Sequence, residues 1–387
     1  MNVLQRKILK YILSVENVSK ASISKKMNIS KSAIGKQVNE LVQAGIVYED
    51  GTFFSSGLGR RHERLKVKPE SFYACGMSLA SRSLDICLID ASLGIVHIES
   101  YAISFDFAKL DKSFCEIIEC FNLFMAKSRI KSNKITAIGV SCSGIVDCNT
   151  GDLLRSGSLC IKERIPLGKE LEERLKIPVF VEETVNTQAH YEYNCGIGRG
   201  VKNMLFTSCQ SGCSGIIING ELFHGTACRS GQTDKYIVDQ QGPISESGQR
   251  GTLSSYFSIS AFLKQVEQVP CSERNYDLLK IRTEAEFKKA YKMGNPIICQ
   301  IVKEASSYAA FFFYNIMTLL PMDIIVVDNW LGAQPECCLD IIKHELRRHA
   351  DFGLEVKVGV SSCEEDKRCF YISCLALMRS LAGKTLS

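Results

Sequence analysis

Only Asn28 and Ile29 separate one short helical pattern from the next, and so tight a link forces the two helices to cross sharply, as in a helix-turn-helix. Upstream, Leu4, Ile8, Ile12 and Val15 recur at spacings of three and four and predict an amphipathic helix over 2–15. Ile23 and Met27 lie one turn apart in a second helix over 20–27. A third is expected from Ser30, whose hydroxyl suits an N-cap, with Ile34, Val38, Leu41 and Val42 inward and Gly45 just past its end. The outward face offers Ser30, Lys31, Ser32, Gly35, Lys36 and Asn39, residues able to meet phosphates and base edges in a major groove. Residues 46–48 and 52–54 read as two short strands around Glu49-Asp50-Gly51, a compact wing. Gly57 to Arg61 then places Arg60 and Arg61 on flexible backbone suited to a minor groove.

Charge separates this segment from the rest. Residues 1–70 hold 13 Lys and Arg against 6 Asp and Glu, whereas the remaining 317 residues are net −2. That is the distribution expected when one domain faces a polyanion and the other does not. A helical packing module with a solvated basic face is the competing reading; the short turn and the wing favour double-stranded DNA.

At 387 residues more than one domain is expected, and 45% hydrophobic with 23% charged residues excludes a disordered or fibrous chain. No apolar run reaches the roughly 18–20 residues of a membrane span, and Arg6, Lys7, Lys10 and Glu16 interrupt any leader-like stretch. Without an export signal, the 18 cysteines imply reduced thiols in a cytoplasmic protein, and no paired C-x-x-C spacing suggests a metal. Beyond the head, 74–89 and 95–104 read as paired strands and 110–126 as a helix. Strands over 135–140 and 179–182 flank a helical stretch, 167–175; strands over 204–207 and 215–218 open a second lobe. The class is α/β.

The stretch Ile29 to Leu41, with Ala44-Gly45-Ile46-Val47 and Gly59-Arg60-Arg61, is similar to the DNA-binding half of repressors in the ROK family, whose name joins repressors, open reading frames and kinases. The resemblance runs on through Gly76 to Asp90, Ile138 to Asp147, Gly215 to Gly220 with Gly225, then Gly231, Gly242, Gly248 and Gly251, to Pro321–Val327. It implies an actin-like (ribonuclease H-like) two-lobed ATPase and sugar-kinase fold behind the winged helix-turn-helix. The expected domains are 1–70, a first lobe over 71–187 completed by 366–387, and a second lobe over 188–365. It also implies a regulator of carbohydrate genes that assembles as a homodimer or higher homo-oligomer, acting on a DNA operator and answering to a sugar-derived effector.

The family's chemical motifs are broken here. The kinases' D-x-G-G-T phosphate loop is matched by Gly76–Ser81, without the acid or the second glycine. The E-N-D-A-N segment carrying the family's catalytic base is matched by Glu182–Asn186, with Thr184 at the base position. The four zinc positions hold Lys235, Ser245, Ser247 and Thr252, and sugar-binding carboxylates are replaced by Gln232 and Ser254. No catalytic residue, metal or cofactor is therefore expected. Glu183, Asn186, Gln232 and Lys235, with Arg250, remain as candidates to line a pocket for an acidic or phosphorylated ligand. The competing reading pairs Lys235 and Arg250 with Asp234 and Glu246 in a metal-free loop. A sugar kinase with an appended head, and a regulator whose large domain binds a protein or only dimerises, stay open.

Overall fold

The computed structural model describes residues 1–54, 61–105, 109–245, 247–270, 276–329, 335–349 and 356–383. Arg60 and Glu246 lie outside the described residues. The chain divides into two compact units, 1–187 with 366–387, and 188–365.

The head opens with α1 (Val3–Ser14), α2 (Lys20–Met27) and α3 (Lys31–Gln43). Asn2 and Gln5 form a capping box on α1, Ser19 and Ser22 another on α2, and the Ser30 hydroxyl accepts from the Ala33 N–H on α3. Asn28 ends α2 in the left-handed conformation (φ 54°), which produces the sharp crossing. The core is Ile8, Leu9, Ile12, Ile23, Ile34, Val38 and Leu41, closed by Val47 and Leu65 from the wing. Two expected core residues are not there. Val15 falls past the end of α1 and Val42 lies on the outer flank of α3; they are 39% and 36% exposed.

The wing also differs from its reading. Glu49-Asp50-Gly51 is no hairpin turn but an irregularity inside one strand, β1 (Val47–Phe54), which pairs antiparallel with β2 (Arg61–Val67). Gly51 sits at φ +67°, so one extra residue bulges out between Glu49 and Thr52 without ending the strand. The Asp50 carboxylate takes Lys66 at 2.6 Å across the pair.

The rest of the first unit is a five-stranded sheet in the order β5-β4-β3-β6-β9. Its strands are β3 (Tyr73–Leu79), β4 (Ser83–Asp90), β5 (Ile95–Ala102), β6 (Ile135–Cys142) and β9 (Val179–Glu183). β3, β6 and β9 run parallel, while β4 and β5 meander antiparallel from β3. Residues such as Cys75, Met77 and Val140 join Phe114, Ile117 and Phe124 of α4 (Leu110–Ser128) and Leu171 of α5 (Leu167–Leu175) in one core. A small ribbon, β7 (Ile145–Asp147) with β8 (Asp152–Arg155), precedes α5.

After β9, α6 (Thr184–Cys195) leads into the second unit, a sheet in the order β12-β11-β10-β13-β14. It comprises β10 (Met204–Thr207), β11 (Ser214–Ile218), β12 (Glu221–Leu222), β13 (Ile324–Val327) and β14 (Lys357–Val360). Around it lie α7 (Ile259–Gln268), α8 (Tyr276–Leu279), α9 (Glu284–Lys292), α10 (Pro296–Leu319) and α11 (Pro335–His349). Phe262 of α7 stacks on Phe287 of α9 at 5.3 Å, and Phe312 and Phe313 anchor α10 in the same core. No described helix is long and apolar enough to cross a membrane.

The chain then returns to the first unit as α12 (Arg368–Ala382), on the sheet face opposite α4. Gly76, Gly139 and Phe180 are register partners on neighbouring strands, and α12 crosses this row. A Cβ on Gly76 would come within 2.0 Å of the Cys369 carbonyl oxygen, and one on Gly139 within 2.5 Å of that of Ile372. Gly76→Ala is expected to destabilise the first unit by about 3 kcal/mol, because backbone and not a yielding side chain stands in the way. An unchanged denaturation midpoint in urea would show that α12 does not need the gap.

Candidate nucleic-acid interface and altered ligand site

The polar residues of α3 fall into two sets. Gln37 accepts from the Asn2 side chain at 2.7 Å and Glu40 accepts from Gln5 at 2.8 Å, so these two fasten α3 to α1. Lys31, Ser32, Lys36 and Asn39 are exposed, and Gly35 between them leaves open space where a side chain would stand. Lys31, Lys36 and Asn39 make no side-chain hydrogen bond or ion pair among the described residues. Ser30 holds its cap at 3.3 Å and lies as far from the Ser32 hydroxyl. An unengaged face of cations and an amide on a rigid, capped helix is what insertion into a major groove needs.

In the wing, Arg61 is the first residue of β2, and its guanidinium lies over the Phe54 ring, 5.5 Å from the centroid. Arg64 takes the same position over Phe53 at 5.9 Å. Sequence patterning does not predict this aromatic–cation platform. Its only trace in the chain is the pair Phe53-Phe54 followed within a dozen residues by Arg61 and Arg64. The hydrogen bond from Lys66 holds the Asp50 carboxyl below its usual range, so it stays charged as the wing's counter-ion.

At the junction of β9 and α6, Thr184 is buried and begins the helix. Glu183 accepts from the N–H groups of Val185 at 2.7 Å and Asn186 at 3.1 Å, which makes it the cap of α6. Glu182 is buried against Arg379 of α12 at 2.6 Å and also accepts from the Asn186 amide at 3.0 Å. Loss of hydration outweighs the two backbone donors at the half-buried Glu183 and pushes its carboxyl up to about 8. The segment matched to the phosphate loop is also altered. Gly76 lies mid-strand under α12, and the chain turns tightly back at Ala80, whose N–H donates to the Ser83 carbonyl at 3.0 Å.

In the second unit, Lys235 donates to the Gln232 side chain at 2.5 Å rather than to Asp234, and Arg250 donates to the Gly242 carbonyl at 2.9 Å. Ser245 and Ser247 bond one another at 2.9 Å, and Thr252 bonds Ser254 at 3.1 Å. An ammonium and three hydroxyls engaged in this way do not fit a zinc ion, which needs thiolate, imidazole or carboxylate ligands. Of the four ligand-site candidates, Glu183 bonds Asn186 in the first unit and Gln232 bonds Lys235 in the second. None of the described cysteines forms a disulfide, and burial pushes the thiols of Cys75 and Cys142 far up, which keeps them unreactive.

Comparison with known proteins follows the same division. The ROK family model matches residues 76–369, and a winged helix-turn-helix DNA-binding model matches residues 1–48. The chain is 24% identical over 387 residues to the xylose repressor of Caldicellulosiruptor bescii, spanning 96% of this chain and 94% of that one. It is 24% identical to the DNA-binding transcriptional repressor Mlc of Escherichia coli, spanning 90% and 86%. A crystal structure of a ROK family transcriptional regulator, a homologue of Mlc, superposes with a TM-score of 0.79 at 17% identity, over 98% of both chains. The ROK hexokinase of Thermus thermophilus superposes at 0.64 with 15% identity, over 79% of this chain and 98% of that one.

Glu183 gives a prediction with a definite sign. A carboxyl raised from 4.5 to about 8 by folding contributes fully below the lower value, and its contribution is lost as pH rises through the upper one. Urea midpoints of the wild-type chain should therefore fall relative to Glu183→Gln between pH 5 and pH 8; parallel profiles would contradict the burial of this carboxyl.

Proposed function

The chain belongs to the ROK family, and on that premise we propose that it is a sequence-specific transcriptional regulator whose large domain has lost sugar-kinase chemistry. The observation that carries this reading is the face of α3 on which Lys31, Lys36 and Asn39 stand exposed and unengaged, while their neighbours Gln37 and Glu40 hold the head together. Relatives named as xylose repressors and as Mlc support repression of carbohydrate genes as the mode. In this reading Lys31, Ser32, Lys36 and Asn39 reach into the major groove, Ser30 and Gly35 allow close approach, and the arginines of the wing, Arg60 and Arg61, meet the adjacent minor groove. Two copies of the chain bind a two-fold operator.

The large domain acts as sensor and dimer contact. Thr184 has no lone pair basic enough to take a sugar proton near neutral pH, and Glu183 is committed to capping α6. The ligand that the altered site of this domain suits best is sugar-derived and acidic or phosphorylated, with Lys235 of the second unit as its cationic contact. Calorimetric titration with sugar acids, sugar phosphates and neutral sugars tests this, and heat from the neutral sugars alone would reverse the assignment. The kinase reading predicts ATP turnover over a sugar panel in a coupled assay; our reading predicts none.

Asn39→Ala should cost about 1–3 kcal/mol on the preferred duplex and little on a scrambled one, measured by fluorescence anisotropy. Arg61→Ala should weaken binding to both and flatten the salt dependence by about two units in the log–log slope, one from each copy. Equal losses on both duplexes for Asn39→Ala would remove it from base recognition.

A further inference from the structure

Because β3, β6 and β9 run parallel, their N-terminal ends share one edge of the sheet. Phe72, Thr136 and Pro178 stand at that edge and line a groove of about 280 Å³ together with Met1, Arg6 and the last turn of α12. The head therefore abuts the edge through α1, and α1 is tied in turn to α3 through Asn2–Gln37 and Gln5–Glu40. One helix lies between the recognition helix and the edge, a separation on the order of 10–20 Å given a helix diameter of about 10 Å. That distance corresponds to a few base pairs along a duplex, at about 3.4 Å each.

The segments that feed these three strands are basic. Lys68 precedes β3; Arg129, Lys131 and Lys134 precede β6; Lys176 precedes β9. All five are exposed, and none has an ion-pair partner among the described residues. The acids nearby are few. Glu172 accepts from the Val179 N–H at 3.0 Å, Glu173 pairs with Lys169 at 3.9 Å, Asp90 opposite Tyr73 accepts from the N–H groups of Ser92 and Gly94, and Glu70 is exposed beside Lys68. Residues 127–136 contain no acid at all, in a body that is otherwise net negative. A cation at a helix C-terminus is favoured by the helix dipole, which accounts for Arg129 after α4 and Lys176 after α5 without any partner. Lys68, Lys131 and Lys134 have no such explanation.

We propose that this sheet edge is a second DNA-binding surface, in which Lys68, Lys131 and Lys134 meet phosphates flanking the segment read by α3. The inference rests on the DNA-binding reading above and lengthens the footprint from the head onto the family domain. Phosphate interactions of this kind position the protein without reading bases, so they act on any duplex long enough to reach the edge.

The test uses the full chain and duplexes of about 18 and 36 base pairs that carry a site the wild-type chain selects from a randomised pool, the longer one spanning more than three turns. In Lys68→Gln/Lys131→Gln/Lys134→Gln, the log–log salt slope on the longer duplex should become shallower by about 5, at about 0.9 for each of the phosphates no longer neutralised by the three lysines on both copies. The slope on the shorter duplex should not change. A control with three exposed lysines of the second unit replaced, Lys264→Gln/Lys289→Gln/Lys303→Gln, should match the wild type. Unchanged slopes on the longer duplex, or an equal change in the control, overturn the second surface, the former pointing to an acidic protein as the partner of this edge. A wild-type chain that binds no duplex removes the DNA-binding reading itself, and this inference with it.

Discussion

The C-terminal helix lies flat on the first sheet because Gly76 and Gly139, neighbours in the strand register, present no side chain to it. Close-packed interiors leave no slack for a methyl group at such a crossing, so the backbone of α12 can approach the strands only there. Much of the first unit depends on that approach. With α12 seated, Arg379 reaches the buried Glu182 at the end of β9, and the far end of the helix, Ser380 to Gly383, borders the groove beside α1. A buried ion pair of this kind adds little net stability, but removing either partner leaves a charge without compensation, so it fixes where α12 can sit.

The same region shows what stands at the positions matched to the family's kinase motifs. The carboxyl group next to the base position caps α6, the residue at the base position is a buried threonine, and the segment matched to the phosphate loop runs into a tight hairpin. In the second unit hydroxyl pairs stand where the family places metal ligands. Lys235, Ser245, Ser247 and Thr252 are each hydrogen-bonded to a neighbouring side chain, as the buried Ser245 and Thr252 need to be.

Local features are legible in the sequence. The spans of α2 and α5, the Ser30 cap and the crossing after Asn28 follow from side-chain chemistry within a few residues. The wing departs from its sequence pattern because Glu49-Asp50-Gly51 has the composition of a turn, and only pairing with β2 shows that Gly51 serves a bulge. The glycine spacing signals the family, but the role of Gly76 depends on Cys369, almost three hundred residues away. Likewise, α3 shows a uniformly polar outer face until α1 docks and engages Gln37 and Glu40, which leaves Lys31, Lys36 and Asn39 unengaged. The basic sheet edge is invisible in the sequence for the same reason: parallel strand order alone brings Lys68, Lys131 and Lys134 to one side.

The central claim is that a basic head with a free recognition face discriminates among duplex sequences while the body it rides on performs no phosphoryl transfer. Repeated selection by the full chain from a randomised duplex pool, at moderate ionic strength and without added nucleotide, tests it most directly. The account predicts convergence on one two-fold symmetric motif; a pool that stays random after successive rounds would contradict it.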